Sequence, residues 1–138
     1  MNWKRLWLAA LLVFIAYLAT SLLIHGVILR GEYMKPDIQQ AMRPEAEMSP
    51  YFWVRIVTTA VFAFFFTFIF AKGYERKGLM EGIRYGIYIT LFYFFVTFFD
   101  QFVDYPLPYR FVWYWIAAGF VQSVIMGIIA ALVYKPKA

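Results

Sequence analysis

Four long apolar runs, at residues 6–29, 51–71, 82–103 and 111–134, take up most of a 138-residue chain. Each reaches the ~20 residues with which a helix rising ~1.5 Å per residue crosses ~30 Å of hydrocarbon. Lipid offers no partner for free backbone groups, so a spanning segment is a helix or part of a closed barrel. Barrel strands alternate in polarity, whereas these runs are continuous. The expected fold is therefore all-α, an integral membrane four-helix up-down bundle that forms one domain over 1–138 and leaves an outer loop at 30–50. Composition agrees: 64% of the residues are hydrophobic and 15% charged, against roughly 45–50% and about 25% in soluble domains. The chain has no cysteine, which excludes disulfides, thiolate metal sites, iron–sulfur clusters and cysteine nucleophiles.

The net charge of +5 reads as a topology signal rather than a nucleic-acid patch. Lys4, Arg5, Lys72, Arg76, Lys77, Arg84, Lys135 and Lys137 fall on one side. On the other, Arg30, Lys35, Arg43, Arg55 and Arg110 are outnumbered by Glu32, Asp37, Glu45, Glu47, Asp100 and Asp104. The positive-inside rule thus places both termini and the middle loop in the cytoplasm. The first run is longer than the apolar part of a secretory signal and is expected to be retained as a span. Aromatic residues mark both surfaces, with Trp3, Trp7, Tyr74, Tyr85 and Tyr134 on the inner side and Tyr33, Tyr51, Trp53, Tyr105, Tyr109, Trp113 and Tyr114 on the outer.

Small residues at intervals of four let helix backbones approach closely in lipid. Thr59, Ala63, Thr67 and Ala71 form one such stripe, and Gly119, Ser123, Gly127 and Ala131 form another. Gly78, Gly82 and Gly86 make a double GxxxG, read as a packing face within the chain or as a homodimer seam. An offset of 60 superposes the two stripes and an offset of 75 places His25 on Asp100, a pattern that admits a parallel two-helix internal duplication. In the first loop, 37–42 is expected to form a short interfacial helix with Ile38 and Met42 toward the membrane.

Ionisable groups within spans call for partners. Arg55 and Asp100 lie at comparable depth below the outer surface and form a candidate ion pair, while Arg84 is expected to snorkel toward the inner surface. His25, with Glu32, Glu45, Glu47, Asp100 and Asp104 on the same side, forms a candidate outer polar cluster. No spacing in it fixes two metal ligands on one helix, so no metal site is assigned. Gln122 and Ser123, mid-span, are expected to hydrogen-bond Thr59, Thr67 or Thr97. The phenylalanines of 62–70 and 92–102 face lipid or, in a redox alternative, hold a quinone or pigment by stacking, with His25 as a single axial haem ligand, although no cofactor is indicated. No GxSxG, phosphate loop or zinc-protease motif occurs, so no catalytic residue is assigned.

The segments His25-Gly26-Val27-Ile28-Leu29, Met42-Arg43-Pro44-Glu45-Ala46-Glu47-Met48, Ala71-Lys72-Gly73-Tyr74-Glu75 and Gly82-Ile83-Arg84-Tyr85-Gly86 together resemble a family of small four-helix bacterial inner-membrane proteins with a domain of unknown function. The resemblance implies a bacterial inner-membrane location and no reaction. The sequence favours a non-enzymatic accessory, assembly or interaction subunit that contacts lipid and either a second copy or a larger membrane complex. A small channel or transporter with an outward-facing polar site is the alternative, and a haem- or quinone-binding redox protein the third reading.

Overall fold

The structure, a computed structural model, describes residues 1–137 and contains no strand among them. Helix α1 (Trp3–Leu23) begins where the Asn2 side chain accepts the Arg5 N–H, and it runs on through a π-helical turn at Ile24–Ile28. The polar segment that follows folds into short helices α2 (Arg30–Tyr33), α3 (Pro36–Ala41) and α4 (Glu45–Met48). Its prolines fit because Pro36 and Pro50 stand in the first turn of helical segments and Pro44 precedes one, where a missing N–H breaks no bond. Helix α5 (Phe52–Lys72) ends at Gly73. Helix α6 (Leu79–Ile89) continues through a second π-helical turn, Thr90–Phe95, into α7 (Val96–Asp104), and α8 (Tyr109–Val133) follows Pro106 and Pro108. Four helical stretches, built on α1, α5, α6 with α7, and α8, are long and apolar enough to cross a membrane.

Helix α8 is the most enclosed of the four. One face meets α6 backbone to backbone. A Cβ built on Gly82 would stand 2.2 Å from the Gly127 carbonyl oxygen, and one on Gly86 would stand 2.5 Å from that of Ser123. Glycine is therefore a steric requirement at this seam. The contacts fall in number along α8 as they rise along α6. Another face of α8 joins α1 and α5 in a core that contains Leu6, Ala9, Val13, Ala63, Phe66, Phe70, Met126, Ala130 and Ala131. On α1 and α5 the register also runs in opposite senses, with Trp3 against Phe68 and Trp7 against Phe64.

Between α5 and α6 the contact is made by rings. Tyr85 lies 4.7 Å from Phe66 and 5.4 Å from Phe70, centroid to centroid, and its hydroxyl donates to the Phe66 carbonyl at 2.7 Å. Tyr85 is thus half-buried and packs against α5. Gly78 departs from the expected packing stripe. It precedes α6 at φ +67°, a conformation that glycine adopts freely, and a Cβ there would meet nothing within 4 Å.

The first loop is docked against the bundle. Ile38 is 0% exposed and packs with Leu107, Phe111, Val112 and Ile116. The short helix at 36–41 therefore points Ile38 at the start of α8, not at the membrane. Full burial of such a side chain contributes about 1.5–3 kcal/mol.

Candidate functional site

The end of the bundle that carries the 30–50 segment gathers polar side chains from three elements. The π-helical turn, which widens α1 by a residue, carries His25, and π segments of this kind recur at functional sites. His25 Nδ1 lies 2.7 Å from the Tyr33 hydroxyl of α2. The indole Nε1–H of Trp115 on α8 donates to the same hydroxyl oxygen at 2.8 Å. An indole only donates, so Tyr33 keeps its own hydrogen for Nδ1, an arrangement satisfied by a neutral imidazole protonated at Nε2. Phe111 closes the site with its ring edge-on to Tyr33 at 5.0 Å.

One layer deeper, Gln122 donates its amide hydrogens to Ser21 Oγ at 2.8 Å and to Thr20 Oγ1 at 3.2 Å. Thr20 in turn donates to the Ala16 carbonyl at 2.8 Å. The partners of Gln122 are thus on α1, and not Thr59, Thr67 or Thr97. The reason is positional: α1 faces this side of α8, while Thr67 returns its hydroxyl to Ala63 of its own helix. Ser123, one residue on, meets Gly86 of α6 through its backbone, and its buried hydroxyl has no hydrogen-bond partner among the described residues.

The structure does not bring Arg55 and Asp100 together. Both are exposed, and neither belongs to any ion pair among the described residues. Arg55 instead lines a concavity of about 570 Å³ with Arg43, Tyr51, Val54 and Thr58. The outer polar cluster is dispersed in the same way. Glu32 bonds Lys35 at 2.6 Å, Glu45, Glu47 and Asp104 are exposed, and no group of three or more His, Asp or Glu side chains converges among the described residues. At the other end of the bundle, Arg84 reaches the 73–78 turn and pairs with Glu75 at 2.7 Å, and Lys77 meets the same carboxylate at 2.6 Å.

The small-residue stripes divide between two neighbours. Thr59, Ala63 and Thr67 are buried on α5, and Ala63 and the half-buried Ala71 belong to the core shared with α1. On α8, Ser123 and Gly127 face α6, a Cβ on Gly82 would come within 2.9 Å of Ala131, and one on Gly119 would strike the Phe94 ring at 2.5 Å.

Residue spacing gave no hint of the pair between Arg110 and Asp37, which closes at 2.8 Å across a separation of 73 residues. Arg110 Nε also stands 3.5 Å from Glu32 Oε2. The Arg110 hydrogen bond holds the Asp37 carboxyl below the ordinary carboxylate range, and the Lys35 hydrogen bond, aided by Arg110, does the same for Glu32. Carboxylates depressed by folding favour the docked loop above their unfolded values near 4, and this contribution disappears as pH falls through the lower folded values. Asp37 and Arg110 are solvent-exposed, so Ile38 remains the larger anchor. Hydrogen exchange across 36–41, corrected for its intrinsic rate, is expected to quicken modestly below pH 4, and Arg110→Gln is expected to reproduce that change at pH 7. Ile38→Ala is expected to loosen the loop further at every pH. Equal protection at pH 3 and pH 7 would remove the ion pair from the account.

No protein-family model matches the chain, and no curated protein or solved structure matches it either.

Proposed function

We propose that this chain is a bacterial inner-membrane protein that crosses the bilayer four times as an up-down bundle, with both termini and the 73–78 turn in the cytoplasm. Its role in this reading is that of a non-enzymatic interaction subunit within a homo-oligomer or a larger membrane complex. The four long apolar helices, the opposed contact registers and the eight basic residues toward one end support the membrane arrangement.

One observation carries the interaction role: Asp100 is exposed on α7, with no basic group of the chain in ion-pair distance among the described residues. A charge in a spanning helix costs up to about 2.5–3.5 kcal/mol and ordinarily turns inward or finds a partner. A carboxylate on the outer face of α7 is suited to a basic or hydrogen-donating group on a neighbouring subunit. Purification in mild detergent is expected to yield a second copy or another membrane protein with the chain, and Asp100→Asn, inserted normally, is expected to lose it. A wild-type chain that runs as a lone monomer would overturn the role.

The hydrogen-bonded series Trp115, Tyr33 and His25 favours a second reading, a small channel or transporter with an outward-facing polar site. That reading predicts solute or ion flux that falls in Tyr33→Phe and Arg55→Gln. Flux equal to that of protein-free vesicles would set it aside.

A further inference from the structure

We infer that Arg43 and Arg55 form a binding site for a phosphate group, and that its source is the headgroup of an anionic phospholipid at the outer surface. This inference rests on the membrane reading above. The two guanidiniums line one concavity that is open to the surroundings, and all of its lining side chains, Arg43, Tyr51, Val54, Arg55 and Thr58, are exposed. Neither has a carboxylate within ion-pair distance among the described residues, although Glu45 and Glu47 follow Arg43 closely in sequence. The site therefore keeps two positive charges for an external anion.

Its geometry is set from two directions. Arg55 projects from the second turn of α5, while Arg43 arrives on the strand of chain between α3 and α4, held with its Cζ 5.1 Å from the centre of the Tyr51 ring. Thr58 gives its hydrogen to the Arg55 carbonyl at 3.1 Å, which leaves the guanidiniums as the principal donors. Planar forks of this kind suit phosphate oxygens in paired hydrogen bonds.

The surroundings indicate a lipid source. Below the concavity, Val54, Val57, Val61 and Phe65 are exposed at helical spacing on α5, a strip on which an acyl chain can lie. At the level of the site, Tyr51 and Trp53 are exposed, as rings at the headgroup layer are. A headgroup phosphate on the arginines with its chain on this strip satisfies both features at once.

The test uses the full chain in nanodiscs of equal phosphatidylcholine and phosphatidylglycerol, with retained lipids counted by native mass spectrometry. Phosphatidylglycerol is expected to be retained in excess. Arg43→Gln and Arg55→Gln are each expected to cut that excess about tenfold, as befits a lost charge-assisted bond. Arg5→Gln is expected to leave it unchanged. The variant with both positions changed to lysine keeps the charge and is expected to retain an intermediate excess, which guards against a double glutamine variant that fails to fold. Inorganic phosphate titrated into phosphatidylcholine discs distinguishes the sources. Binding there that both glutamine variants lose, without lipid preference, would keep the phosphate site and replace the lipid with a soluble ligand. Equal retention of both lipids with no phosphate binding, or an excess that survives in well-folded glutamine variants, would overturn the site. Alkaline carbonate extraction separates this from the underlying reading: a chain released from cell membranes contradicts the membrane arrangement, whereas a retained chain without lipid preference contradicts the site alone.

Discussion

Gly127→Ala is expected to force α6 and α8 apart and to destabilise the protein by about 1–3 kcal/mol or more. The added methyl carbon would lie 2.1 Å from the Gly82 carbonyl oxygen and 2.9 Å from its carbon, so the obstacle is backbone that no side-chain rotation can clear. Separation of the helices would also loosen Gly86 against Ser123. In lipid this close approach supplies the dispersion contacts that hold helices together without a hydrophobic drive. Gly82→Ala is expected to have a similar effect, and the double variant to cost less than the sum, since one separation accommodates both methyl groups. Gly26→Ala is the comparison, because its Cβ would meet nothing within 4 Å, and a change within about 0.5 kcal/mol is expected there. Thermal unfolding in mild detergent measures all four. Equal midpoints for Gly127→Ala and Gly26→Ala would show that the seam does not depend on close backbone contact.

The same residues show what the sequence made legible. A four-residue period identifies a face of a helix because Cβ positions repeat after about one turn, and it marked Gly82, Gly86, Ser123 and Gly127 correctly as small positions on two helices. It does not say which helix occupies the opposite side. That is why Gln122 pairs with Thr20 and Ser21 of α1 instead of a threonine of α5 or α7. Nor does the period distinguish a helical glycine from one just outside, and Gly78 fell on the stripe although its positive φ places it in the turn. Long apolar runs located the helices well because length and hydrophobicity are local properties. The docking of Ile38 and the pair between Asp37 and Arg110 depend on how the chain returns, and no local pattern encodes it. For Arg55 and Asp100, equal depth was legible but the angular position around the bundle was not.

Glu81→Ala is expected to undo the turn between α5 and α6. Glu81 is only 5% exposed, and its two carboxylate oxygens accept the backbone N–H groups of Glu75 at 2.6 Å and Lys77 at 2.9 Å. It occupies the third position of α6, where a carboxylate both reaches back to free N–H groups and complements the positive end of the helix. The turn needs that anchor because Arg76, at φ 64°, and Gly78 both adopt left-handed conformations, which for arginine carries a steric penalty. Loss of the carboxylate leaves two partly buried donors without partners, at about 1–3 kcal/mol for each that water does not reach. The pair of Glu75 with Arg84 is exposed at both ends and compensates little. Glu81→Gln keeps one carbonyl oxygen and is expected to cost about half as much. The direct measurement is hydrogen exchange at the Glu75 and Lys77 amides, which should become unprotected together in Glu81→Ala and singly in Glu81→Gln. Protection retained at both amides in Glu81→Ala would mean that the turn is held by the α5–α6 ring packing around Tyr85 rather than by this carboxylate.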